Sequence, residues 1–207
     1  MTGLRERKKE QTRRHIADTA RALFAERGFE RVTVAEIARA AEVSDQTVFN
    51  YFPTKEDLVY WRLGSFEEEL LAAVRDRGPD ESALAAFRRF VLAQRGLLGE
   101  HEPDAVEQLT AFTRMIAASP ALQAREAQIL NGYTHALAAL LAEQTGAGPD
   151  ALEPVVVANA LVGVHRALIG YTRARILRGE HGPELAREVE RRTERAFALL
   201  EAGLGDY

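Results

Sequence analysis

Residues 33–55 read TVAEIARAAEVSDQTVFNYFPTK, and three helix starts fall within this stretch. Thr33-Val-Ala-Glu36 is a capping box: the threonine oxygen takes a free backbone N–H, and the glutamate reaches back to the cap. Val32 and Ile37 stand where a hydrophobic staple would. Ser44 is a second N-cap, flanked by Val43 and Val48, and Thr54 is a third, with Asp57 in the reciprocal position. The spacing predicts a helix over 34–41, a tight turn at 42–44, a helix over 45–52, a break at Pro53 and a further helix from Lys55. Val34, Ile37, Ala38, Ala41, Val43, Val48 and Phe52 are spaced to close a small core, which leaves them no contact role. A helix, a tight turn and a short helix braced by a long first helix outline a helix-turn-helix.

The same reading extends in both directions. Upstream, Ile16, Ala20, Leu23 and Phe24 share one face of a helix expected over Arg5–Arg27, and Gly28 supplies its stop. Downstream, one helix is expected from Lys55 to Arg77, ended by Gly78-Pro79. Further helices are expected over 81–98, 103–117, 120–144, 150–178 and 183–203. Gly99, Pro103, Ser119-Pro120, Gly146–Pro149 and Gly179–Pro183 mark the breaks. Strand-like alternation never persists, so the fold class is all-α. The expected organisation is a helix-turn-helix domain with a basic arm over 1–54 and a helical bundle over 55–207. The helix from Lys55 would join the two rigidly.

Composition narrows the function. The 207 residues contain no cysteine, which excludes disulfides, thiolate metal sites and cysteine nucleophiles. The five histidines are scattered, and no nucleophile–base pair or metal-spaced cluster appears, so no enzyme, metal or cofactor is expected. The charged N-terminus has no apolar core of a secretory signal, and apolar runs such as Val155–Ala158 are too short to span a bilayer. A cytoplasmic protein without a membrane partner is expected. Net charge is −4, yet residues 1–14 hold six basic and two acidic side chains. That basic arm (Arg5, Arg7, Lys8, Lys9, Arg13, Arg14) on an acidic chain suggests one end that faces a polyanion.

Residues 10–60, from RRHIADTARALFAERGFERVTVAEIARAA through VSDQTVFNYFPTKEDLV, resemble the DNA-binding domain of the tetracycline-repressor (TetR) family of bacterial regulators. The positions that match together are Phe24, Gly28, Thr33, Ile37, Ala38, Val43, Ser44, Thr47, Tyr51, Phe52, Lys55 and Leu58. One departure is Glu42, where the family commonly has glycine; a positive φ there would strain a glutamate. The resemblance implies a recognition helix whose DNA-facing residues are Ser44, Asp45, Gln46, Thr47, Phe49 and Asn50. Gln and Asn can pair bidentately with adenine, and a phenyl edge suits a thymine methyl. Thr33, Tyr51 and Lys55 resemble the family's phosphate contacts, which position the helix rather than read sequence.

The resemblance also implies that the C-terminal part binds a small-molecule effector and dimerises; MIAASPALQAREAQIL looks like the family's sixth-to-seventh helix junction. VVVANALVGVHRALIGY (155–171) is apolar nearly all round and must be covered on all sides. The last helix adds a stripe of Leu185, Val189, Ala196, Leu200 and Gly203 with Phe197 beside it. Two such helices from each of two subunits would make a four-helix homodimer interface. A two-fold dimer reads two half-sites about 34–36 Å apart, so the operator should be an inverted repeat. Effector-pocket candidates are Trp61, Phe87, Phe90, Phe112, Met115, Tyr133, His135, Asn159, His165 and Arg166, polar groups among apolar ones. The expected function is a ligand-responsive transcriptional repressor. The alternative is a ligand-binding or interaction protein of the same fold that has lost specific DNA binding, for which Glu42 and Asp45 speak.

Overall fold

The structure, a computed structural model, describes residues 3–94, 98 and 103–203, with the side chains of Leu4, Arg5 and Pro103 excepted. Residues 95–97 of the expected 81–98 helix, and the break at Gly99, lie outside the described residues. The elements are α1 Leu4–Arg27, α2 Val34–Ala40, α3 Asp45–Tyr51, α4 Lys55–Val59 and α5 Leu63–Arg75. They continue as α6 Ala83–Ala93, α7 Pro103–Ala118, α8 Pro120–Thr145, α9 Glu153–Leu177 and α10 Gly182–Ala202. Among the described residues there is no strand, as the all-α reading requires.

The chain divides into two compact units. The first comprises residues 1–64 and 115–126; the second comprises 65–114 and 127–207. In the first, α1 packs on α2 and α4, and α2 on α3. Ile16, Ala20, Phe24, Phe29, Val32, Ile37, Ala38, Val48, Phe52 and Leu58 form its core, with Ile116 and Leu122 buried in the second segment of the same unit. In the second unit, α10 packs on α6 and α9, and α6 on α9. Its core includes Leu70, Val74, Phe87, Tyr133, Leu137, Leu161 and Phe197. Phe197, expected beside the stripe of the last helix, is fully buried and lies 5.9 Å from Phe87 between ring centroids.

One expectation is corrected. The single helix from Lys55 to Arg77 is two helices, broken at Tyr60–Arg62. The Tyr60 carbonyl accepts from Leu63 N at 2.8 Å, a turn tighter than the α-helical bond. The Tyr60 ring is buried and its hydroxyl donates to the Leu122 carbonyl at 3.0 Å, which anchors the break within the first unit. Gly64 and Ser65, both poor helix formers, follow at once and carry the boundary between units.

The exposed side of α9 is also a finding. Pro154, Ala158, Leu161, Val162, Leu168 and Ile176 face inward, whereas Val155, Val156, Val157 and Leu177 are exposed. By length and composition α9 could cross a membrane, its best 18-residue window having a mean hydropathy of 1.4, yet only 22% of that window is buried. Cβ atoms at Gly163 and Gly170 would meet open space. An apolar helix left this open needs a covering partner.

Candidate nucleic-acid interface and effector region

All three helix caps read in the sequence are present. Thr33 Oγ1 accepts from Glu36 N at 3.3 Å, and the Glu36 carboxylate accepts from Thr33 N at 2.9 Å and from the Thr33 hydroxyl at 2.8 Å. Arg27 adds an ion pair to the other Glu36 oxygen at 2.6 Å. The Thr33 backbone donor, followed by Arg27, holds the Glu36 carboxyl down at about 2, against 4.5 for an ordinary glutamate. Ser44 Oγ accepts from Thr47 N at 3.0 Å and shares a 2.8 Å hydrogen bond with the Thr47 hydroxyl. The Asp57 carboxylate accepts from Thr54 N and from the Thr54 hydroxyl, completing the cap of α4.

The turn between α2 and α3 is a Schellman motif. Val43 N donates to the Ala38 carbonyl at 2.9 Å and Glu42 N to the Arg39 carbonyl at 3.2 Å. Glu42 takes the left-handed position that this motif demands, with φ of +54°. The glutamate therefore accepts the conformation glycine would take freely, and the turn geometry is kept.

Helix α3 buries Val48, and its C-cap Phe52 is buried too. Asp45, Gln46, Phe49 and Asn50 are exposed on the other side; Thr47 and Tyr51 are half-buried. Phe49 is 45% exposed, unusual for a phenyl group without a partner. Gln46 Nε2 donates to Asn50 Oδ1 at 3.1 Å, so the two amides present a joined edge. Ser44 and Thr33 are exposed at the starts of their helices. Lys55, by contrast, is turned into its own unit. Its ammonium donates to the carbonyls of Phe29 at 3.0 Å and Val32 at 3.2 Å, and lies 4.1 Å from the Phe29 ring centroid. Of the basic arm, Arg7, Lys8, Lys9, Arg13 and Arg14 are helical residues of α1, and the Arg13 guanidinium lies over the Phe52 ring at 5.7 Å.

The segment 115–126 brings polar contacts to the first unit that the sequence reading missed. The buried Ser119 donates to Glu30 at 2.6 Å, and Arg125 pairs with Asp57 Oδ1 at 2.7 Å. Asp57 thus gives one oxygen to the cap of α4 and the other to Arg125.

In the second unit the effector candidates divide. Phe90, Tyr133 and His165 meet around Phe66, a residue the sequence reading did not single out. A periodic signal for Phe66 existed: it heads the stripe completed by the buried Leu70 and Val74. Burial draws the His165 imidazole down to about 4, hence neutral at pH 7. Phe87 is buried against Phe197 instead. Phe112, His135, Asn159 and Arg166 are exposed; Asn159 bonds the Val155 carbonyl and Arg166 the Asn131 side chain. Trp61 and Met115 belong to the first unit, where Arg62 lies over the Trp61 ring.

Residues 16–60 match the family model described as bacterial regulatory proteins, tetR family, and residues 81–205 match that of the MftR C-terminal domain. The HTH-type transcriptional regulator TcmR of Streptomyces glaucescens is 31% identical over 150 residues, 72% of this chain and 66% of TcmR, just short of two thirds of that relative. The fatty acid metabolism regulator protein of Bacillus subtilis is 29% identical over 64% of this chain and 68% of its own length. Among solved structures, NalD, the secondary repressor of the MexAB-OprM multidrug efflux pump in Pseudomonas aeruginosa, superposes with a TM-score of 0.58 at 21% identity. It covers 91% of this chain and 96% of NalD, and shows a shared fold. TetR-family regulators bind operator DNA, usually as dimers, respond to small-molecule effectors, and are soluble cytoplasmic proteins rather than enzymes. With a capped helix-turn-helix in the first unit and family matches that together cover most of the described chain, this protein belongs to the TetR family of DNA-binding bacterial transcriptional regulators.

Proposed function

We propose that this chain is a cytoplasmic, ligand-responsive repressor that binds an inverted-repeat operator as a homodimer. The observation that carries this reading is α3: a short helix fixed at both ends that exposes Gln46, Phe49 and Asn50 while burying its opposite face. In this reading Gln46, Thr47, Phe49 and Asn50 read base edges in the major groove. Asp45 accepts from a cytosine amino group. Ser44, Thr33, Tyr51 and the third donor of Lys55 hold phosphates and set register.

The uncovered side of α9 supports the dimer. Val156, Ala160, Gly163, Ala167 and Gly170 recur at alternating spacings of four and three, which suits close approach of a second helix. Arg166 and His165 within α9 make a bilayer a poor alternative cover. An effector held in the second unit would favour dimers whose recognition helices are wrongly spaced for the operator. Coupling of about 1–3 kcal/mol would change operator affinity about 5–150-fold. Nothing favours the reading in which DNA binding is lost: the Glu42 turn keeps its hydrogen bonds.

The deciding experiment selects bound duplexes from a random DNA pool with the purified protein and sequences them. An enriched inverted repeat is expected. Weak, sequence-blind binding at low salt would overturn the reading.

A further inference from the structure

Phe66 of α5 stacks on two rings from different helices. Tyr133 of α8 lies 5.7 Å away at an interplanar angle of 22°, and His165 of α9 lies 5.3 Å away at 17°. Phe90 of α6 meets the same ring edge-on at 5.1 Å. Tyr133 and Phe90 are buried, whereas Phe66 is partly exposed, so the ring common to all three contacts is more open than those two partners. Such offset and edge contacts suit any flat π-system of similar size.

A second, independent feature lies at the same place. His165 Nδ1 is buried and has no hydrogen-bond partner among the described residues. Buried polar atoms are nearly always bonded, so an orphan next to an aromatic stack calls for an explanation, and a ligand hydroxyl supplies one. A neutral imidazole carries one donor and one acceptor nitrogen; a hydroxyl group can serve either. The neighbouring acid disfavours an anionic ligand. Glu67 follows Phe66 in α5, burial and Glu68 push its carboxyl up, and its charge reaches Tyr133. An anionic ligand would add a further negative charge beside it.

The geometry points to a ligand slot between Tyr133 and His165 whose occupant is a non-anionic, planar, hydroxyl-bearing aromatic molecule that displaces the Phe66 ring, stacks on Tyr133 and turns its hydroxyl to the edge of the imidazole at His165 Nδ1. The inference rests on the reading of the second unit as the effector region. In this proposal Phe66 is the plug of the slot, and it stands on α5 two residues after Gly64, where the unit boundary falls.

The test is isothermal titration calorimetry of the whole chain, without DNA, against 1-naphthol, naphthalene and 1-naphthoate. Wild type should prefer 1-naphthol to both. Phe66→Ala should bind 1-naphthol about tenfold more tightly, since the ring no longer has to be expelled. His165→Phe keeps a stacking face and should erase the preference for 1-naphthol over naphthalene. Phe66→Leu is the second variant should the alanine form fail to fold, with the same direction expected. A folded Phe66 variant that gains nothing, or a preference that survives in His165→Phe, overturns the slot. Because no DNA is present, the two readings fail separately: an enriched operator with no naphthol binding sinks only the slot, and naphthol binding with no operator sinks only the repressor.

Discussion

The Lys55 ammonium donates to the Phe29 carbonyl at 3.0 Å while its nitrogen lies 4.1 Å from the centroid of the Phe29 ring. A second donor goes to Val32, so two of its three N–H groups tie the start of α4 to the loop between α1 and α2. The residue is therefore structural in its own right, and among the described residues its third donor has no hydrogen bond, which leaves it for the phosphate contact proposed above.

Lys55→Ala should show both roles. Losing charged hydrogen bonds should destabilise the first unit by about 1–3 kcal/mol. Operator and non-operator DNA should weaken alike, with the salt slope reduced by about 1 per subunit. Lys55→Arg keeps the charge but presents a planar fork, so it should recover the salt slope without recovering the melting temperature. Thermal melts and salt titrations by fluorescence anisotropy separate these effects, and an unchanged melt for Lys55→Ala would show that the carbonyl bonds contribute nothing.

Gln46 and Asn50 should act as a coupled pair. Asn50→Ala should cost about 1–3 kcal/mol at a preferred base and relax preference there. Because Gln46 Nε2 donates to Asn50 Oδ1, Gln46→Ala releases the Asn50 amide to turn over, so the losses should not add. A double-mutant cycle on the selected operator should return a coupling of about 0.5–3 kcal/mol. Strict additivity would mean that the two amides part company on DNA.

Glu36 should make the first unit acid-sensitive. Its carboxyl is held at about 2 when folded and near 4.5 otherwise, so the unfolded chain takes up the proton first as pH falls. The stabilisation is complete above about 4.5 and drains away toward about 2. Glu36→Gln should flatten urea midpoints measured across that window, lowering them most at pH 6. A midpoint that varies identically in both proteins would rule Glu36 out as the titrating group.

What could be read from the sequence followed the distance along the chain. Thr33 with Glu36, Ser44 with Thr47 and Thr54 with Asp57 are caps closed within one helical turn, and each formed as its spacing required. Lys55 with Phe29, 26 positions apart, and Arg125 with Asp57, 68 apart, leave no local pattern, because only the tertiary fold brings them together. The α9 helix was opaque for another reason. A helix apolar on every side has no periodic contrast, so Leu161 and Val162 could not be told from Val156 and Val157, though the first pair is buried and the second exposed. The break at Tyr60 was hidden by the apolar run Leu58–Trp61, which reads as continuous helix until Tyr60 finds the Leu122 carbonyl.

Glu42→Gly should stabilise the first unit. The left-handed conformation at φ +54° costs an L-residue about 1–2 kcal/mol, which glycine avoids. Glycine loses more backbone freedom on folding, which offsets part of that, so a net gain of about 0.5–1 kcal/mol is expected. DNA affinity should be unchanged or slightly improved. A melting temperature that falls would mean that the Glu42 side chain makes up its backbone strain elsewhere.

Arg125→Ala should weaken DNA binding from a position far along the chain from the recognition helix. Asp57 links the two: Oδ2 caps α4 through Thr54, and Oδ1 is held by Arg125. Removing the guanidinium leaves a largely buried carboxylate with its cap but without its counter-charge, a loss of about 1–3 kcal/mol for a partly exposed pair. The start of α4, and with it Lys55, should loosen, so affinity should fall on every DNA sequence while base preference stays as it was. Asp57→Asn keeps a cap acceptor and discards the charge, so it should lose the Arg125 pairing with most of the cap retained. If Arg125→Ala instead alters which bases are preferred, the segment 115–126 acts on α3 directly, and the route through Asp57 is wrong.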